Sequence, residues 1–358
     1  MTAEPARASE VEVVASRAVG EGPAPELHPR PALVSIVCPA YNEADGIREF
    51  VRRVSAVMER AGLDYEIVLV NDGSLDDTLP ILRDLASAQP ALTIVNLSRN
   101  FGKEIALTAG LQHAMGDVLV VLDADLQDPP ELIPTFVEAY TRGYDVVYGR
   151  RTSREGETWF KTFTARLFYR LMKTVGPVQL PSNVGDFRLI SRRVADALLT
   201  LPERHRFMKG LFAWVGFPSI AVDYDRHPRF SGTSKWNYPK LVGLSIEGIT
   251  SFTIVPLRVV TIAGFAVALA SFAYGVYVFL RTLIYGDSVA GFPTLFLTIL
   301  ALGGMQLIAL GVIGEYLGRI FNEVKGRPLF LVESVSWSHA GESRRAHRQS
   351  PGWSPRDQ

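Results

Sequence analysis

Acidic side chains follow three apolar runs of the sequence, at the points where each run ends. The motifs there are Pro39-Ala-Tyr-Asn-Glu43, Asn71-Asp-Gly-Ser74 and Asp123-Ala-Asp125-Leu-Gln127. Asp123 and Asp125 can reach one hard cation, to which Gln127 can add a neutral oxygen. Mg²⁺ or Mn²⁺ is usually held by one or two carboxylates together with substrate phosphates. The pattern predicts a metal between the protein and a diphosphate, where it would offset charge on a leaving nucleotide.

Each motif also has an ordinary structural explanation. The sequence Asn71-Asp-Gly-Ser74 is common in turns, and Asp128 before two prolines can begin a helix. The functional interpretation depends on all three motifs falling at strand ends, where open α/β sheets bind ligands. No Gly-x-x-x-x-Gly-Lys-Ser/Thr sequence occurs, which argues against a P-loop nucleoside triphosphatase.

The elements that must position these motifs are short apolar runs alternating with segments of helical period. The runs predict strands at 33–37, 66–70, 93–97, 118–122 and 145–148. The helical segments lie at 46–60, 77–88, 103–115 and 130–142. This alternation predicts an α/β fold with a mainly parallel sheet covered on both faces.

Two uncharged segments, 259–280 and 291–314, follow the α/β region. About 20 residues at about 1.5 Å each cross the roughly 30 Å hydrocarbon core, so each can span a membrane. A pair of buried core helices is the alternative. The ten-residue connection 281–290 allows only a hairpin. Lys and Arg flank the outer ends of the hairpin, which favours a multi-pass protein of the inner (plasma) membrane with a cytoplasmic α/β domain.

The predicted domains are a disordered tail at 1–32, an α/β domain at 33–252, two transmembrane helices within 253–332 and a second disordered tail at 333–358. Aromatic and basic residues alternate at 158–175, which predicts an interfacial helix on the lipid bilayer, although a core-facing helix shows a similar stripe.

Composition excludes several function classes. Lys plus Arg and Asp plus Glu both number 37, and this balance argues against a nucleic-acid partner. The single cysteine, Cys38, excludes an intramolecular disulfide and a cysteine zinc cluster.

Taken together, the three motifs resemble those of the family 2 inverting glycosyltransferases with a GT-A (Rossmann-like) fold. Further segments make the chain similar to the bactoprenol glucosyltransferase branch, which is related to dolichol-phosphate mannose synthases. These segments are Arg99–Glu104, Gly185–Arg188, Arg206–Gly210, Ser234–Asn237 and Gly314–Arg319. The resemblance covers roughly residues 33–332.

The resemblance implies roles for individual positions on the donor side. The residues that would line the nucleoside pocket are Pro39, Tyr41, Glu43 and Asp72, with Asp72 facing the uracil. The residues that would hold the metal and the donor diphosphate are Asp123, Asp125 and Gln127. Lys103 would reach a phosphate, unless it is a solvated helix lysine. Asn71 stands where many relatives have an Asp, which leaves the role of that position open.

The acceptor expected from the resemblance is a lipid monophosphate. Its second pKa is near 6, so its oxygen is already anionic at neutral pH and needs no strong base. Asp186 would lie beside the acceptor, and its alternative role is to close a turn before a strand. The cations predicted to bind the acceptor phosphate are Arg151, Arg206, Lys209, Arg229 and Lys235, with ordinary surface cations as the alternative.

We therefore expect metal-dependent inverting transfer of a hexose, with glucose favoured, from a nucleotide sugar such as UDP-glucose to polyprenyl phosphate. Asp125 and Asp186 are the predicted catalytic residues. One alternative is a processive polysaccharide synthase, which would need a Gln-x-x-Arg-Trp motif that the sequence lacks. Another is a non-catalytic lipid-binding subunit, which would have no use for the acidic motifs. Two spans per chain can also pack into a homo-oligomer.

Overall fold

A computed structural model of the chain describes residues 26–152, 184–204, 206–225, 255–285 and 291–338. The described residues divide into an α/β domain, which includes 328–338, and a helical hairpin. Three sequence predictions lie outside the described residues: the first 25 residues of the N-terminal tail, the interfacial helix at 158–175, and the acceptor contacts of Arg229 and Lys235.

The described residues of the α/β domain form one eight-stranded sheet. Its strands are β1 (Val34–Ala40), β2 (Tyr65–Asn71), β3 (Leu92–Leu97), β4 (Val118–Val121), β5 (Val146–Arg151), β6 (Val184–Ser191), β7 (Ser219–Tyr224) and β8 (Val332–Ser336). Their order across the sheet is β7-β5-β6-β4-β1-β2-β3-β8. The four central strands β4, β1, β2 and β3 are parallel, so their carboxyl ends meet at one edge. This confirms the mainly parallel sheet.

Antiparallel strands complete the sheet on both sides. β6 runs antiparallel to β4 and β5, and β8 runs antiparallel to β3. Because β6 runs opposite to β4, its first residues lie beside the carboxyl end of β4. The site therefore receives side chains from the start of β6 as well as from the ends of the central strands.

Helices cover both faces of the sheet. They are α1 (Ile47–Ala61), α2 (Thr78–Ala88), α3 (Lys103–His113), α4 (Ile133–Thr141), α5 (Arg192–Thr200) and α6 (Met208–Trp214), with a 3₁₀ turn at Pro130–Leu132 before α4. Phe50 of α1 and Phe136 of α4 are fully buried in the core on one face. On the other face α3 lies so close to β1 that a Cβ at Gly110 would overlap Val37.

Both predicted tails are wrong where the structure describes them. In the N-terminal tail, the His28 amide donates to the Thr141 carbonyl at 3.2 Å, and the Ala32 amide donates to Asp117 at 2.7 Å. In the C-terminal tail, residues 333–336 belong to β8 and Ser338 is 2 % exposed. The polar sequence there suggested disorder, but the unpaired backbone groups of β3 supply partners that composition does not reveal.

The second unit contains α7 (Val255–Tyr285) and α8 (Phe292–Val324), which pack against each other. By length and composition, Val259–Tyr277 and Ala301–Val324 can each cross a membrane. The second helix continues beyond residue 314, the predicted end of its span. Large apolar side chains on both helices are exposed, among them Phe265 and Leu307.

Candidate active site

Three charged side chains from distant parts of the sequence meet at the carboxyl edge of the sheet. Lys103 Nζ lies 2.7 Å from Asp123 Oδ2 and 2.5 Å from Asp186 Oδ2. Asp123 follows β4, and Lys103 is the first residue of α3. Asp186 belongs to β6, whose register places Arg188 opposite Val121 at the end of β4. The antiparallel pairing of β6 therefore brings Asp186 next to Asp123.

The charges of this cluster stabilise one another. Lys209 Nζ of α6 lies 3.6 Å from Asp186 Oδ1. Burial would raise the pKa of Asp186, but Lys103 and Lys209 outweigh it and hold that pKa well below its usual range. Burial likewise opposes the charge of Lys103, whereas Asp123 and Asp186 raise its pKa. The Lys103 side chain is 44 % exposed, so a charged substrate group can reach it.

Two residues beside the cluster were given no role from the sequence. Burial, followed by the nearby charge of Asp186, raises the pKa of Glu104 to about 7. Arg188 is 4 % exposed, lies 4.0 Å above the Phe212 ring and donates to the Gly185 carbonyl at 2.9 Å. Both residues stand in the segments that carry the family resemblance, but sequence position did not show that they face the cluster.

The loops that follow β1 and β2 are joined by hydrogen bonds. The Asn42 amide donates to Ser74 Oγ at 3.0 Å, and the Leu75 amide donates to Asn42 Oδ1 at 2.8 Å. The Glu43 amide donates to Thr78 Oγ1 at 2.9 Å. The residues predicted to line the nucleoside pocket here, which are partly buried, are Pro39, Tyr41 and Glu43. Two loops far apart in sequence thus form a single surface, which we call the donor loops (residues 41–46 and 72–78).

Asp72 is more buried than its predicted contact with uracil suggests. It is 2 % exposed, and its two carboxylate oxygens accept from the Phe101 amide at 2.7 Å and the Gly102 amide at 2.9 Å. Burial raises the pKa of Asp72, and these two amides oppose that shift. In the structure Asp72 holds the turn that leads into Lys103, and its contact with uracil stays a prediction.

The predicted metal ligands share one loop. The Gln127 amide donates to Asp125 Oδ1 at 3.2 Å, and Leu126 between them has a φ of +53°. Among the described residues, no group of three His, Cys, Asp or Glu side chains forms a complete metal site. The donor set nevertheless fits Mg²⁺ or Mn²⁺ in part, because hard carboxylate oxygens of Asp123 and Asp125 would leave positions for substrate oxygens. The ammonium of Lys103 shows that Asp123 takes a cationic partner.

The predicted acceptor cations have different surroundings. Lys209 belongs to the charged cluster, as described above. Arg151, at the end of β5, lies 3.2 Å from the Tyr224 hydroxyl and 3.4 Å from Asp128 Oδ1, and a Cβ at Gly185 would come within 2.8 Å of its guanidinium. This arrangement ties Arg151 to buried Asp128.

The structure contradicts the prediction for Arg206. Its side chain is turned inward, the residue is 6 % exposed, and its guanidinium donates to the carbonyls of Leu198 at 3.2 Å and Leu201 at 2.6 Å. These carbonyls lie at the end of helix α5, where intrahelical amide partners are lost, although the Leu198 carbonyl also accepts from the Leu201 amide at 3.4 Å. Arg206 therefore stabilises a helix end and leaves the set of acceptor cations.

Comparison with known proteins identifies the family to which this chain belongs. Residues 35–199 match the family model for glycosyl transferase family 2, and residues 255–320 match that for the GtrB C-terminal hairpin. An uncharacterized glycosyltransferase from Synechocystis is 51 % identical over 302 residues, covering 84 % of this chain and 95 % of that protein. A prophage-derived bactoprenol glucosyl transferase from Shigella flexneri is 45 % identical over 308 residues, covering 86 % and 99 %.

Among solved structures, a glucosyl-3-phosphoglycerate synthase from Mycobacterium tuberculosis, in complex with Mn²⁺, UDP-glucose and phosphoglyceric acid, aligns with a TM-score of 0.41 at 22 % identity. The alignment covers 60 % of this chain and 76 % of that chain. The classification follows from the two family matches and from the similarity to two relatives along nearly their whole length. The chain belongs to glycosyltransferase family 2 and is a glycosyltransferase, with a GT-A-like α/β domain followed by two apolar helices that form a candidate transmembrane hairpin of the GtrB type.

Proposed function

We propose that this enzyme transfers glucose from UDP-glucose to polyprenyl phosphate at the cytoplasmic face of the inner membrane, with inversion at the sugar. The observation that carries the proposal is the open cluster of Lys103, Asp123, Asp186 and Lys209 at the carboxyl edge of the sheet. It is supported by the similarity to the bactoprenol glucosyl transferase of Shigella flexneri, which aligns with this chain along almost its whole length.

The cluster has one side suited to each substrate. Asp123 and Asp125 follow β4, which lies next to β1 in the sheet, and the first donor loop follows β1. With a bound Mg²⁺ or Mn²⁺ the two aspartates would hold the donor diphosphate. The metal, when bound, neutralises charge on the departing nucleotide. Lys103 can exchange a carboxylate oxygen for a phosphate oxygen because its ammonium is a mobile point charge on a flexible stem.

The acceptor side contains Asp186 and Lys209. An anionic phosphate needs positioning and neutralisation more than proton removal. Its oxygen attacks C1 of glucose from the face opposite the diphosphate, the C1–oxygen bond to UDP breaks, and UDP leaves with the electron pair. Lys209 would neutralise the incoming phosphate, and Asp186 would keep both lysines oriented.

A transfer assay in detergent tests this proposal. The purified protein would be incubated with Mg²⁺ or Mn²⁺, undecaprenyl phosphate and labelled UDP-glucose, GDP-mannose or UDP-N-acetylglucosamine in separate tubes. We expect label in the organic phase with UDP-glucose, loss of that label with chelator, and a β-linked product by NMR. Label from another donor would replace glucose in the proposal, and no label from any donor with folded protein would overturn it.

A further inference from the structure

A chain of three polar side chains crosses the sheet from β8 to the donor loops. Asn96 Nδ2 donates to Glu333 Oε2 at 2.8 Å, and Asn71 Nδ2 donates to Asn96 Oδ1 at 2.7 Å. Asn71 Oδ1 in turn accepts from the Ser74 amide at 3.3 Å. We call Asn71, Asn96 and Glu333 the amide relay. Both asparagines are 2 % exposed, so a broken link would leave a buried polar group without a partner.

The chemistry of Glu333 sets the direction of the relay. An ionised carboxylate only accepts hydrogen bonds, so Asn96 must turn its NH₂ group toward Glu333. The Asn96 oxygen then faces Asn71 and requires a donor there. Asn71 supplies its NH₂ group and keeps its oxygen for the backbone of Ser74. An aspartate at this position could accept from Ser74 but could not donate to Asn96.

The far end of the relay lies within the donor loops. Ser74, which the relay holds by its amide, accepts from the Asn42 amide at 3.0 Å through its hydroxyl. Asn42 Oδ1 accepts from the Leu75 amide at 2.8 Å. A change at Glu333 can therefore reach Ser74 through three successive hydrogen bonds, and the loop at 41–46 through a fourth.

We propose that Asn71, Asn96 and Glu333 are positioning residues for donor binding, an inference that rests on the proposed function for the identity of the donor. Strand β8, which follows the membrane hairpin in the sequence, thereby contributes to the nucleotide site without contacting the nucleotide. Asn71 donates to Asn96 and accepts from Ser74, and an aspartate could make only the second of these bonds.

The first test is a double-mutant cycle with N71D, E333Q and the combined variant. E333Q alone should change the donor KM less than about two-fold, because the glutamine oxygen still accepts from Asn96. N71D alone should raise the donor KM about five-fold, because Asn96 must then donate to the new carboxylate and turn its oxygen toward Glu333. In the combined variant, the glutamine at position 333 can donate its NH₂ group to the Asn96 oxygen. The donor KM should therefore return to within about two-fold of wild type. The KM for undecaprenyl phosphate should not change.

If E333Q changed the donor KM by the same factor in wild type and in N71D, the relay would be overturned.

A second measurement, made on the full chain in detergent, needs no donor. Hydrogen–deuterium exchange should become faster at residues 72–78 in Glu333→Ala, whereas residues 92–97 of β3 should keep their protection. Ser336→Ala, an exposed change on the same strand, is the matched control.

The exchange measurement separates the two proposals. Absence of transfer from UDP-glucose by the wild type would overturn the proposed function, while the exchange at 72–78 would still decide the relay. Unchanged exchange there in Glu333→Ala would overturn the relay. Loss of protection at 92–97 as well would show that Glu333 only holds β8 in the sheet, which also overturns it.

Discussion

Asp123 and Asp186 are two carboxylates that share one lysine, and this arrangement makes the site sensitive to single charges. Lys103 contacts both, and Asp125 stands two residues from Asp123. Each negative charge added near Asp123 disfavours ionisation of the others unless a cation compensates. A divalent metal and the Lys103 ammonium would together supply that positive charge.

Removal of Asp125 tests the metal assignment. Asp125→Ala should lower the rate of transfer at least about 100-fold, because the metal loses one of its two protein carboxylates. Mn²⁺ binding in the presence of UDP, followed by electron paramagnetic resonance, should weaken in parallel, and circular dichroism should be unchanged. Asp64→Ala, at an exposed aspartate of the same domain, is the control. Wild-type turnover and Mn²⁺ binding in Asp125→Ala would exclude Asp125 as a ligand.

Glu104 should make stability depend on pH. Its pKa in the folded protein is about 7, against an ordinary value of 4.5. The folded state thus binds the proton more tightly, so this stabilisation is complete below pH 4.5 and is lost as pH rises through 7. Between about pH 5 and pH 8 the free energy of unfolding of the wild type should fall by up to about 3 kcal/mol relative to that of Glu104→Gln.

Thermal or denaturant unfolding of wild type and Glu104→Gln at several pH values measures this difference. The exposed Glu59→Gln is a control for loss of a carboxylate on a helix. If the wild type and Glu104→Gln gave parallel stability curves over this range, the carboxyl of Glu104 would be ionised throughout.

The cations show where residue-level prediction reached its limit. The sequence predicted that Lys103 reaches a phosphate or is a solvated helix lysine, and the structure places it between two carboxylates. Arg206 was predicted to bind the acceptor phosphate because it precedes the first apolar span, yet it is buried against the end of α5. A charged residue gives no local sign of whether its partner is a substrate or a backbone carbonyl, since that depends on the tertiary fold.

At the scale of elements, the donor loops depend on backbone conformations that few residues adopt. Gly73 has a φ of +64°, and a Cβ there would come within 2.5 Å of the Asn100 amide nitrogen. Gly62, at the end of α1, has a similar φ of +58° but has no atom within 4 Å of the corresponding position. Alanine substitutions at Gly62 and Gly73 can therefore distinguish the cost of backbone strain from the cost of steric overlap.

Gly62→Ala should lower the free energy of unfolding by about 1 kcal/mol, because a residue with a side chain is strained in the left-handed conformation. Gly73→Ala should cost about 3 kcal/mol, because overlap with the Arg99–Asn100 backbone adds to that strain. Melting temperatures in detergent and the donor KM would be measured for both variants. Only Gly73→Ala should raise the donor KM. Equal melting temperatures for the two variants would show that the turn beside Arg99 relaxes without cost.

The strands show which elements could be predicted from the sequence. Strands β1 to β4 are buried on both faces and occur as apolar runs, so their positions followed from the sequence. Their parallel pairing also predicted that Asp123 and Asp125 lie at the ligand-binding edge. Strand β8 has the sequence Val-Glu-Ser-Val-Ser, in which only the two valines favour a strand. Its link to β3 joins Asn96 and Glu333, which are 237 residues apart, a separation that local patterns cannot detect.

At the scale of the whole molecule, chain order constrains the hairpin. The helices α7 and α8 lie between β7 and β8 in sequence, and both of these strands belong to the same sheet. If the helices span a membrane, the chain must enter and leave on the side that holds the sheet. The end of α7 at Tyr285 and the start of α8 at Phe292 would then face the opposite side. Basic residues around the outer ends of the hairpin favour the cytoplasm for the sheet.

Cysteine labelling can test this topology against a low background, because Cys38 is the single cysteine and is fully buried. A membrane-impermeant maleimide should label Asp287→Cys, between α7 and α8, in intact cells. It should label Ser87→Cys, exposed on α2, only after the cells are permeabilised. Both proteins must retain transfer activity, which shows that labelling reports the functional orientation. The reverse pattern would place the active site outside the cell, where UDP-glucose is absent, and labelling of both sites in intact cells would mean that the helices do not cross the membrane.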